Sequence, residues 1–343
     1  MAIQKLTIED FVAVANTGIV IDVRSPDEFA HAHIPNAVSL PLFNNEERAL
    51  VGTTYKQKSR EQAIKVGLPL FGNKMLPMVE SVERWVEEFQ KKNKTTSTTI
   101  YVHCWRGGMR SAAVAWLLDL YGFKVCQLIG GYKAYRNWVL TQFTKNYTLK
   151  VIGGYTGSGK TEILHELKKQ HQSVIDLEGL ASHKGSSFGA IGQEKQPSQE
   201  MFENKLATEL FALSDKTILI EDESQRIGTV MLPTPFFKLL RSSDCYFIKI
   251  PFDSRLDFII QGYGSFKAED LIAATYRIQK RLGGLETKNA INYILEKDIK
   301  AAFHILLSYY DKWYEKERKM IPIESSKVDP IENAKLIQSC INS

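Results

Sequence analysis

The feature that most restricts the fold of this chain is a glycine-rich segment between two apolar stretches. It is Gly154-Tyr155-Thr156-Gly157-Ser158-Gly159-Lys160-Thr161, and it matches the phosphate-binding pattern G-x4-G-K-[S/T]. The apolar run Leu149–Ile152 precedes the segment, and Thr161–Lys169 has the spacing of a helix. Backbone N–H groups at the start of a helix form a site for phosphate. The pattern therefore predicts a strand, a phosphate loop and a helix within a mainly parallel α/β sheet.

The residue types in this loop suit a diphosphate. The backbone amides are expected to wrap the phosphates, and Lys160 is expected to neutralise their charge. Mg²⁺ could accompany the diphosphate, but no tightly bound cofactor is predicted. The four cysteines lie far apart and lack metal-ligand spacing, so no structural metal site is expected. The predicted phosphate-binding residues are Gly154, Gly157, Ser158, Gly159, Lys160 and Thr161.

A second loop carries a cysteine between a predicted strand and a predicted helix. It is His103-Cys104-Trp105-Arg106-Gly107-Gly108-Met109-Arg110-Ser111, and it follows the apolar run Ile100–Val102. Gly107 and Gly108 allow the backbone to curl so that successive N–H groups point inward. The field of these amides and of the helix N-terminus favours a thiolate. We therefore expect Cys104 to be a nucleophile in an anion-binding loop.

Charged and hydroxyl side chains complete this predicted anion site. Arg110 closes the loop and can hold a tetrahedral oxyanion through its fork of N–H donors. Arg106 supplies a second positive charge, and Ser111 can cap the helix or hydrogen-bond the thiolate. Protein tyrosine phosphatases have the same His-Cys-x5-Arg-Ser pattern, so the loop alone leaves the reaction open. The residues expected at the site are Cys104, Arg106, Gly107, Gly108, Arg110 and Ser111.

Strand and helix patterns alternate in two series along the 343 residues, which are enough for two domains. The second series begins at Leu149. After about Asp253 only helical patterns continue, and the tail beyond Ile321 is expected to be loosely packed, with room for one short helix. The predicted parts are a parallel-sheet domain, a phosphate-loop α/β domain and a helical region packed on it, over residues 1–143, 144–252 and 253–343.

Composition limits the class of protein and its partners. The net charge of +5 permits a polyanionic partner such as RNA but does not require one. We find no apolar run of about 18 residues, so no membrane span is expected. The first ten residues include Lys5, Glu9 and Asp10 and lack the apolar centre of a secretory signal. Few, scattered cysteines are typical of a reducing compartment, so we expect a cytoplasmic protein.

Two segments upstream of the cysteine loop carry a family resemblance. Ile21–Phe29 (IDVRSPDEF) and His33–Ala37 (HIPNA) resemble the first sequence box of rhodanese-like domains, and they precede Cys104 as in that family. Ala32 and Asn36 stand where this box usually has glycines. Asn tolerates left-handed backbone angles, so the second replacement is mild.

Within the same box, Asp22 and Arg24 are interpreted as a structural polar pair rather than as catalytic residues. The cysteine loop is longer by one residue than that of sulfur-transferring rhodaneses, and it resembles the related cell-cycle phosphatases. The resemblance therefore implies a wider anion site, suited to a phosphate that bears sulfur or selenium.

A rhodanese-like domain followed by a phosphate-loop domain resembles the bacterial tRNA 2-selenouridine synthase family. The resemblance is reinforced by Val51–Gln57, Asp176–Ala181, His183–Ser186 and Glu223-Ser224. It implies replacement of sulfur by selenium in 2-thiouridine at the tRNA wobble position, with selenophosphate as donor. It also implies an S-geranylated intermediate made from geranyl diphosphate, whose diphosphate suits Lys160. No obligate protein partner is implied.

Contacts to tRNA and to a geranyl chain are less specific. Each of two basic clusters next to a tyrosine could contact tRNA or could be an ordinary solvated surface. The segments Phe236-Phe237 and Phe258-Ile259-Ile260 could line an apolar groove or could pack in the core. The basic residues are Lys56, Lys58 and Arg60 in one cluster and Arg277, Lys280 and Arg281 in the other.

Other activities remain open from the residues alone. One is a phosphatase or a sulfurtransferase that uses Cys104, with a nucleotide-binding regulatory domain. A phosphatase requires an acid for the leaving group, and no aspartate lies in a recognisable acid loop, so this alternative ranks lower. A non-enzymatic phosphate-loop switch is the other, although Cys104 and Arg110 are both present.

Overall fold

The computed structural model describes residues 3–312 and 320–342. The chain divides into two compact units, Met1–Thr141 and Gln142–Ser343. Each unit contains a five-stranded parallel sheet with helices, which confirms the predicted α/β class. Residues 313–319 and 343 of the predicted helical region lie outside the described residues. Within the described residues, no helix is long and apolar enough to cross a membrane.

The first unit contains short, buried strands and longer helices. Its strands are β1 (Gln4–Leu6), β2 (Ile19–Asp22), β3 (Val38–Ser39), β4 (Thr99–His103) and β5 (Lys124–Leu128). Its helices are α1 (Ile8–Val14), α2 (Pro26–His31), α3 (Asn45–Gln57), α4 (Arg60–Gly72), α5 (Met75–Asn93), α6 (Met109–Tyr121) and α7 (Gly131–Gln142), the last residue of which belongs to the second unit.

The strand order β1-β5-β4-β2-β3 sets the position of the cysteine loop. β4 lies in the centre and pairs in parallel with β2, with His103 opposite Asp22. The side chains of Ile100 and Val102 are fully buried, because helices cover the sheet. Cys104 therefore follows directly on the carboxyl end of the central strand, where parallel α/β sheets bind their ligands.

The second unit has a second parallel sheet, a short antiparallel hairpin and a helical part. Its strands are β6 (Thr148–Gly154), β7 (Val174–Ile175), β8 (Thr217–Glu221), β9 (Arg226–Ile227), β10 (Val230–Met231), β11 (Asp244–Lys249) and β12 (Met320–Glu324). Its helices are α8 (Lys160–Lys169), α9 (Leu177–Ala181), α10 (Gln199–Ala212), α11 (Thr234–Ser242), α12 (Phe252–Tyr263), α13 (Ala268–Arg277), α14 (Gln279–Leu282), α15 (Gly284–Leu295), α16 (Ile299–Asp311) and α17 (Pro330–Asn342).

The sheet of the second unit is ordered β12-β11-β6-β8-β7, so the phosphate loop follows its central strand. The prediction that strands end after about Asp253 is wrong, because β12 pairs in parallel with β11. The expected loose packing of the tail is also wrong, although the tail does contain one helix. Ile323 of β12 and Ile337 of the 13-residue helix α17 are buried in the same core as Ile163 of α8.

A separate apolar core holds the helical part together. It is formed by side chains of α12, α13, α15 and α16, and Phe188 from the loop after α9 packs among them. Phe303, Leu306 and Leu307 of α16 are almost fully buried in it. This core lies beside the phosphate loop, since Ile259 of α12 approaches Gly157 closely.

Candidate functional site

Cys104 lies in a narrow backbone pocket that the beginning of α7 closes. Its side chain is 3% exposed. The backbone N–H of Tyr132 donates to Cys104 O at 2.8 Å, and that of Lys133 donates to Trp105 O at 2.9 Å. These bonds fix the first turn of the loop against the first turn of α7.

Two glycines permit this close approach. Gly107 has φ +65°, and a Cβ atom there would lie 2.5 Å from Leu128 O. Gly131 has φ +57°, and a Cβ atom there would lie 2.3 Å from Cys104 O. Gly108, by contrast, has φ −98° and open space around its Cβ position. The predicted need for glycine in the loop is therefore strict at Gly107 but not at Gly108.

A polar chain behind the sulfur begins at Ser111. Ser111 is fully buried, and its Oγ lies 3.2 Å from Cys104 Sγ. Gln127 Nε2 donates to Ser111 Oγ at 2.8 Å and to Gly107 O at 3.2 Å. The Ser111 hydroxyl can donate to Gly108 O or to a thiolate at Cys104. The residue that orients this hydroxyl, Gln127, was missed by the sequence analysis.

Arg110 is held by an acidic residue of α2. Its Nη1 donates to Glu28 Oε2 at 3.0 Å, and Arg48 Nε lies 3.5 Å from the same oxygen. Glu28 also accepts from the backbone and hydroxyl of Ser25 in a capping box. Burial alone would raise the pKa of Glu28, but Arg110 and the hydrogen bonds hold it below its usual range. The Ser-x-x-Glu spacing of a capping box is the sequence signal that points to Glu28.

The predicted structural pair Asp22 and Arg24 lies fully buried beside the loop. Arg24 donates to both carboxylate oxygens of Asp22, from Nε to Oδ1 at 3.0 Å and from Nη2 to Oδ2 at 2.6 Å. Nη2 also donates to Ala32 O, and the guanidinium stacks 3.7 Å from the Tyr132 ring centroid. Asn36 has φ +65°, the left-handed angle that asparagine tolerates. These contacts fix the backbone around the cysteine loop.

The outer side of the loop is open. Arg106 is exposed, and Trp105 is 38% exposed next to Cys104. The Trp105 ring is supported from behind by Tyr132, with ring centroids 5.7 Å apart. The loop therefore combines a buried sulfur with an accessible arginine and a half-exposed aromatic face.

The phosphate loop of the second unit has the conformation its glycines predict. Gly157 and Gly159 have φ +81° and +71°. Ser158 is buried and donates to Tyr155 O at 2.7 Å. Lys160 Nζ donates to Gly154 O at 3.2 Å, which keeps the ammonium group against the loop.

Three glutamates surround the lysine and threonine of this loop. Glu178 accepts from the Thr161 hydroxyl at 2.8 Å, and Glu221 accepts from the Glu178 backbone N–H at 2.7 Å. Burial raises the pKa of Glu178, and burial together with the charge of Glu178 raises the pKa of Glu221 well above its usual value. Burial and the neighbouring charge of Glu178 raise the pKa of Glu223 to about 8. Glu178 and Glu223 were included in the motif segments, but the sequence did not predict that they converge.

A cavity of about 490 Å³ is lined by the phosphate loop, by Glu178 and Glu223, and by an apolar wall. The wall is contributed by the helical part, and Phe258 and Ile259 are the predicted groove residues found there. Phe236 is instead fully buried in the core, and Phe237 is not part of this wall. The apolar and aromatic lining residues include Phe188, Phe258, Ile259, Tyr263, Phe303, Leu306, Leu307 and Tyr310.

Arg255 connects the phosphate loop to the helical part, a role that the sequence did not indicate. Its Nη1 donates to Thr156 O at 3.0 Å, and its two terminal nitrogens bind Asp311 at 3.0 and 2.7 Å. Nε donates to Ile250 O at 3.1 Å. Arg255 is 3% exposed, so this cation lies buried directly beneath the loop.

The predicted tRNA-contacting residues are all exposed but lie on different elements. Lys56 is in the last turn of α3, Lys58 caps that helix, and Arg60 begins α4. Arg277 ends α13 and donates to Ser187 O at 2.8 Å, whereas Arg281 lines the cavity. Lys280 lies in α14. Among the described residues, no group of three or more His, Cys, Asp or Glu is arranged to hold a metal ion.

Family models match both units. Residues 147–326 match the model described as the tRNA 2-selenouridine synthase AAA domain, and residues 7–137 match the rhodanese-like domain. The first match covers more than half of the chain.

Several relatives extend over most of the chain. The tRNA 2-selenouridine synthases of Nitrosomonas eutropha and Nitrosomonas europaea are each 39% identical, over 71% and 75% of this chain. The matches span 62% and 66% of those relatives, which is less than two thirds of their length. The tRNA 2-selenouridine synthase of Bdellovibrio bacteriovorus is 36% identical over 87% of this chain and 85% of its own. With the domain match and this near full-length similarity, the chain belongs to the tRNA 2-selenouridine synthase family.

Proposed function

We propose that this protein is a transferase that replaces the sulfur of 2-thiouridine in tRNA by selenium. The relatives are named for the product, tRNA 2-selenouridine. We further propose that geranyl diphosphate first alkylates the sulfur and that selenophosphate then supplies selenium. The observation that carries the proposal is the shared cavity, in which the phosphate loop adjoins an apolar wall.

The second unit would bind geranyl diphosphate. The loop amides and Lys160 suit the diphosphate, and Mg²⁺ could accompany it. The geranyl chain is purely hydrocarbon, so it gains free energy from contact with side chains such as Phe258, Phe303 and Leu307. A nucleoside triphosphate would instead place a polar ribose and base there. This contrast supports a prenyl diphosphate over ATP.

The first unit would act on selenophosphate. Inward amides, Ser111 and the guanidinium of Arg110 can hold a tetrahedral anion near Cys104. Arg110 uses Nη1 for Glu28, and its other N–H groups can serve an oxyanion. Cys104 would either carry selenium or assist departure of the geranylthiol.

The substrate base would come from a single-stranded anticodon loop, where it can leave the stack. Trp105 offers a half-exposed ring next to Cys104 for such a base. The exposed basic residues would contact tRNA phosphates. These are Lys56, Lys58, Arg60, Arg277, Lys280 and Arg281.

The direct test is product analysis with tRNA that contains 2-thiouridine. Wild-type protein is incubated with selenophosphate, with and without geranyl diphosphate, and nucleosides are analysed by mass spectrometry. We expect loss of selenation in Cys104→Ala and loss of geranylation in Lys160→Ala. Cys126→Ala and Lys168→Ala are the matched controls, since the former replaces a buried cysteine of β5 and the latter an exposed lysine of α8.

The outcomes separate the alternatives. Wild-type protein that makes neither geranylated nor selenated nucleoside contradicts the proposal. Rapid hydrolysis of phosphate esters that requires Cys104 would instead favour the phosphatase alternative. If Cys104→Ala still forms the selenated nucleoside, selenium transfer does not depend on Cys104.

A further inference from the structure

The carboxyl groups of Glu178 and Glu223 line the cavity that also contains the phosphate loop. A Cβ atom built on Gly185 would lie 2.8 Å from Glu178 Oε1 and 2.8 Å from Glu223 Oε2. The two carboxyls therefore converge on one point of the cavity wall. If both were ionised there, they would repel each other and also a diphosphate bound to the loop. A proton on one of the two carboxyls removes this repulsion and favours a diphosphate at the loop.

The surroundings of Glu223 favour that neutral form. Its side chain is 8% exposed, and the Glu178 carboxyl beside it already accepts a hydrogen bond from Thr161. Burial and the charge of Glu178 raise the pKa of Glu223 to about 8, even though Lys160 opposes the shift. At neutral pH Glu223 therefore holds a proton inside the cavity.

Other charged groups surround the same cavity. Arg241 Nη1 donates to Asp222 at 3.1 Å, so that cation is engaged with a carboxylate of its own. Arg281 and Tyr263 line the cavity from the helical part. The remaining charged or titratable groups that act on Glu223 or line the same cavity are Lys160, Glu162, Glu178, Lys184, Glu221, Tyr309 and Tyr310.

We propose that Glu223 is the acid that protonates pyrophosphate as it leaves geranyl diphosphate, an inference that rests on the function proposed for the phosphate loop. The sulfur of 2-thiouridine forms a bond to C1 of the geranyl group. The C1–O bond breaks, its electron pair stays on the oxygen, and the carboxyl proton of Glu223 moves to pyrophosphate. The base loses its N3 proton to water and so stays neutral, and Glu223 regains a proton from solvent.

Such an acid is most effective when it is protonated at the working pH yet releases its proton readily. Before the reaction the same proton would form a hydrogen bond to a phosphate oxygen. Deprotonation of Glu223 should therefore weaken both the binding of pyrophosphate and its departure. Binding and catalysis can be tested separately.

The binding test uses inorganic pyrophosphate and the full-length protein, with calorimetry from pH 6.5 to pH 9. Pyrophosphate itself titrates in this range, so wild type and Glu223→Gln are compared at each pH. We expect similar dissociation constants at pH 6.5, and about tenfold weaker binding by wild type at pH 9, where about nine tenths of Glu223 has lost its proton. Glu162→Gln removes an exposed carboxylate from the rim of the same cavity and should keep the wild-type pH dependence.

The catalytic test measures geranyl transfer to 2-thiouridine tRNA. Glu223→Gln should lower kcat by about 10²-fold with little change in the KM for geranyl diphosphate, because the amide still donates but cannot release a proton. We expect the kcat of wild type to decline above about pH 8, and we expect no such decline in the variant.

The results distinguish this proposal from the proposed function. If Glu223→Gln keeps the wild-type pH dependence of binding and the wild-type kcat, the acid role is overturned while the diphosphate site stands. If wild type binds no pyrophosphate at any pH, the proposed function of the loop fails instead. If Glu223→Gln does not fold, infrared spectroscopy of the wild-type protein provides the test instead. A protonated-carboxyl band that shifts on pyrophosphate binding at pH 7 supports the proposal, and a spectrum with no such shift overturns it.

Discussion

Arg110 Nη1 donates a 3.0 Å hydrogen bond to Glu28 Oε2, which joins the end of the cysteine loop to helix α2. The two residues are 82 positions apart in the sequence. Glu28 also caps α2 through Ser25, so one carboxylate serves both the helix N-terminus and the arginine. The position of Arg110 at the cysteine loop thus depends on a residue of the rhodanese-like box.

A double-mutant cycle on this pair should reveal their coupling. Glu28→Gln and Arg110→Lys should each lower the free energy of unfolding of the first unit, and the double variant should cost less than the sum. The expected coupling is about 1 kcal/mol, because both side chains are partly buried. Urea unfolding followed by tryptophan fluorescence measures it. Strict additivity would mean that the bond contributes nothing.

Two neighbouring glycines offer a sharp test of the loop geometry. Gly107→Ala should destabilise the first unit by about 1–3 kcal/mol and abolish selenation, because its φ is +65° and the new methyl group would meet Leu128 O. Gly108→Ala has space for the methyl group and should keep most of the activity. Thermal unfolding and nucleoside analysis check both variants. Equal tolerance of the two changes would contradict the loop conformation.

Arg255 should determine how well the second unit holds its phosphate loop. Arg255→Met leaves Asp311 without its partner and removes the donor to Thr156 O, so we expect a loss of about 3–5 kcal/mol in unfolding free energy. Pyrophosphate affinity should fall as well. Lys300→Met, which breaks the exposed pair with Asp257, is the control and should cost less than about 1 kcal/mol. Differential scanning calorimetry distinguishes the two.

Loss of the proton on Glu223 should make the second unit less stable at alkaline pH. The folded chain holds this proton up to about pH 8, whereas the unfolded chain releases it near its ordinary value of 4.5. The stabilisation is therefore complete below about pH 4.5 and is lost as the pH rises to about 8, by about 1.4 kcal/mol per pH unit. Glu223→Gln should reduce the difference in unfolding temperature of the second unit between pH 6 and pH 8.5. If the variant shows the same difference in unfolding temperature as wild type, the proton is not carried by Glu223.

Local patterns made the two loops predictable from sequence. The phosphate loop is a contiguous run, Gly154–Thr161, whose conformation depends on its own glycines. The cysteine loop is equally local, and a hydrogen bond to the sulfur is one of the two roles its pattern predicts for Ser111. Their partners were not predictable, because Glu28, Gln127 and Arg255 reach the loops only through tertiary packing. The helices α3 and α4 were also missed around the predicted basic cluster.

Strand β12 escaped prediction for a specific reason. Its sequence Met-Ile-Pro-Ile-Glu contains Pro322, which is unfavourable within a sheet because it lacks an N–H donor. β12 lies at the edge of its sheet, where a missing donor on the open side costs little. Strand propensity alone cannot distinguish an edge strand with proline from an irregular tail.

The late position of β12 in the sequence also determines when the sheet can be completed during synthesis. Its neighbour β11 ends at Lys249, yet β12 begins at Met320, after the entire helical part has been translated. Until those later residues leave the ribosome, β11 presents an unpaired edge and α8 lacks the cover of α17. The sheet of the nascent chain therefore keeps an unpaired, aggregation-prone edge until β12 is synthesised. Premature termination within the helical part would yield a chain prone to aggregate.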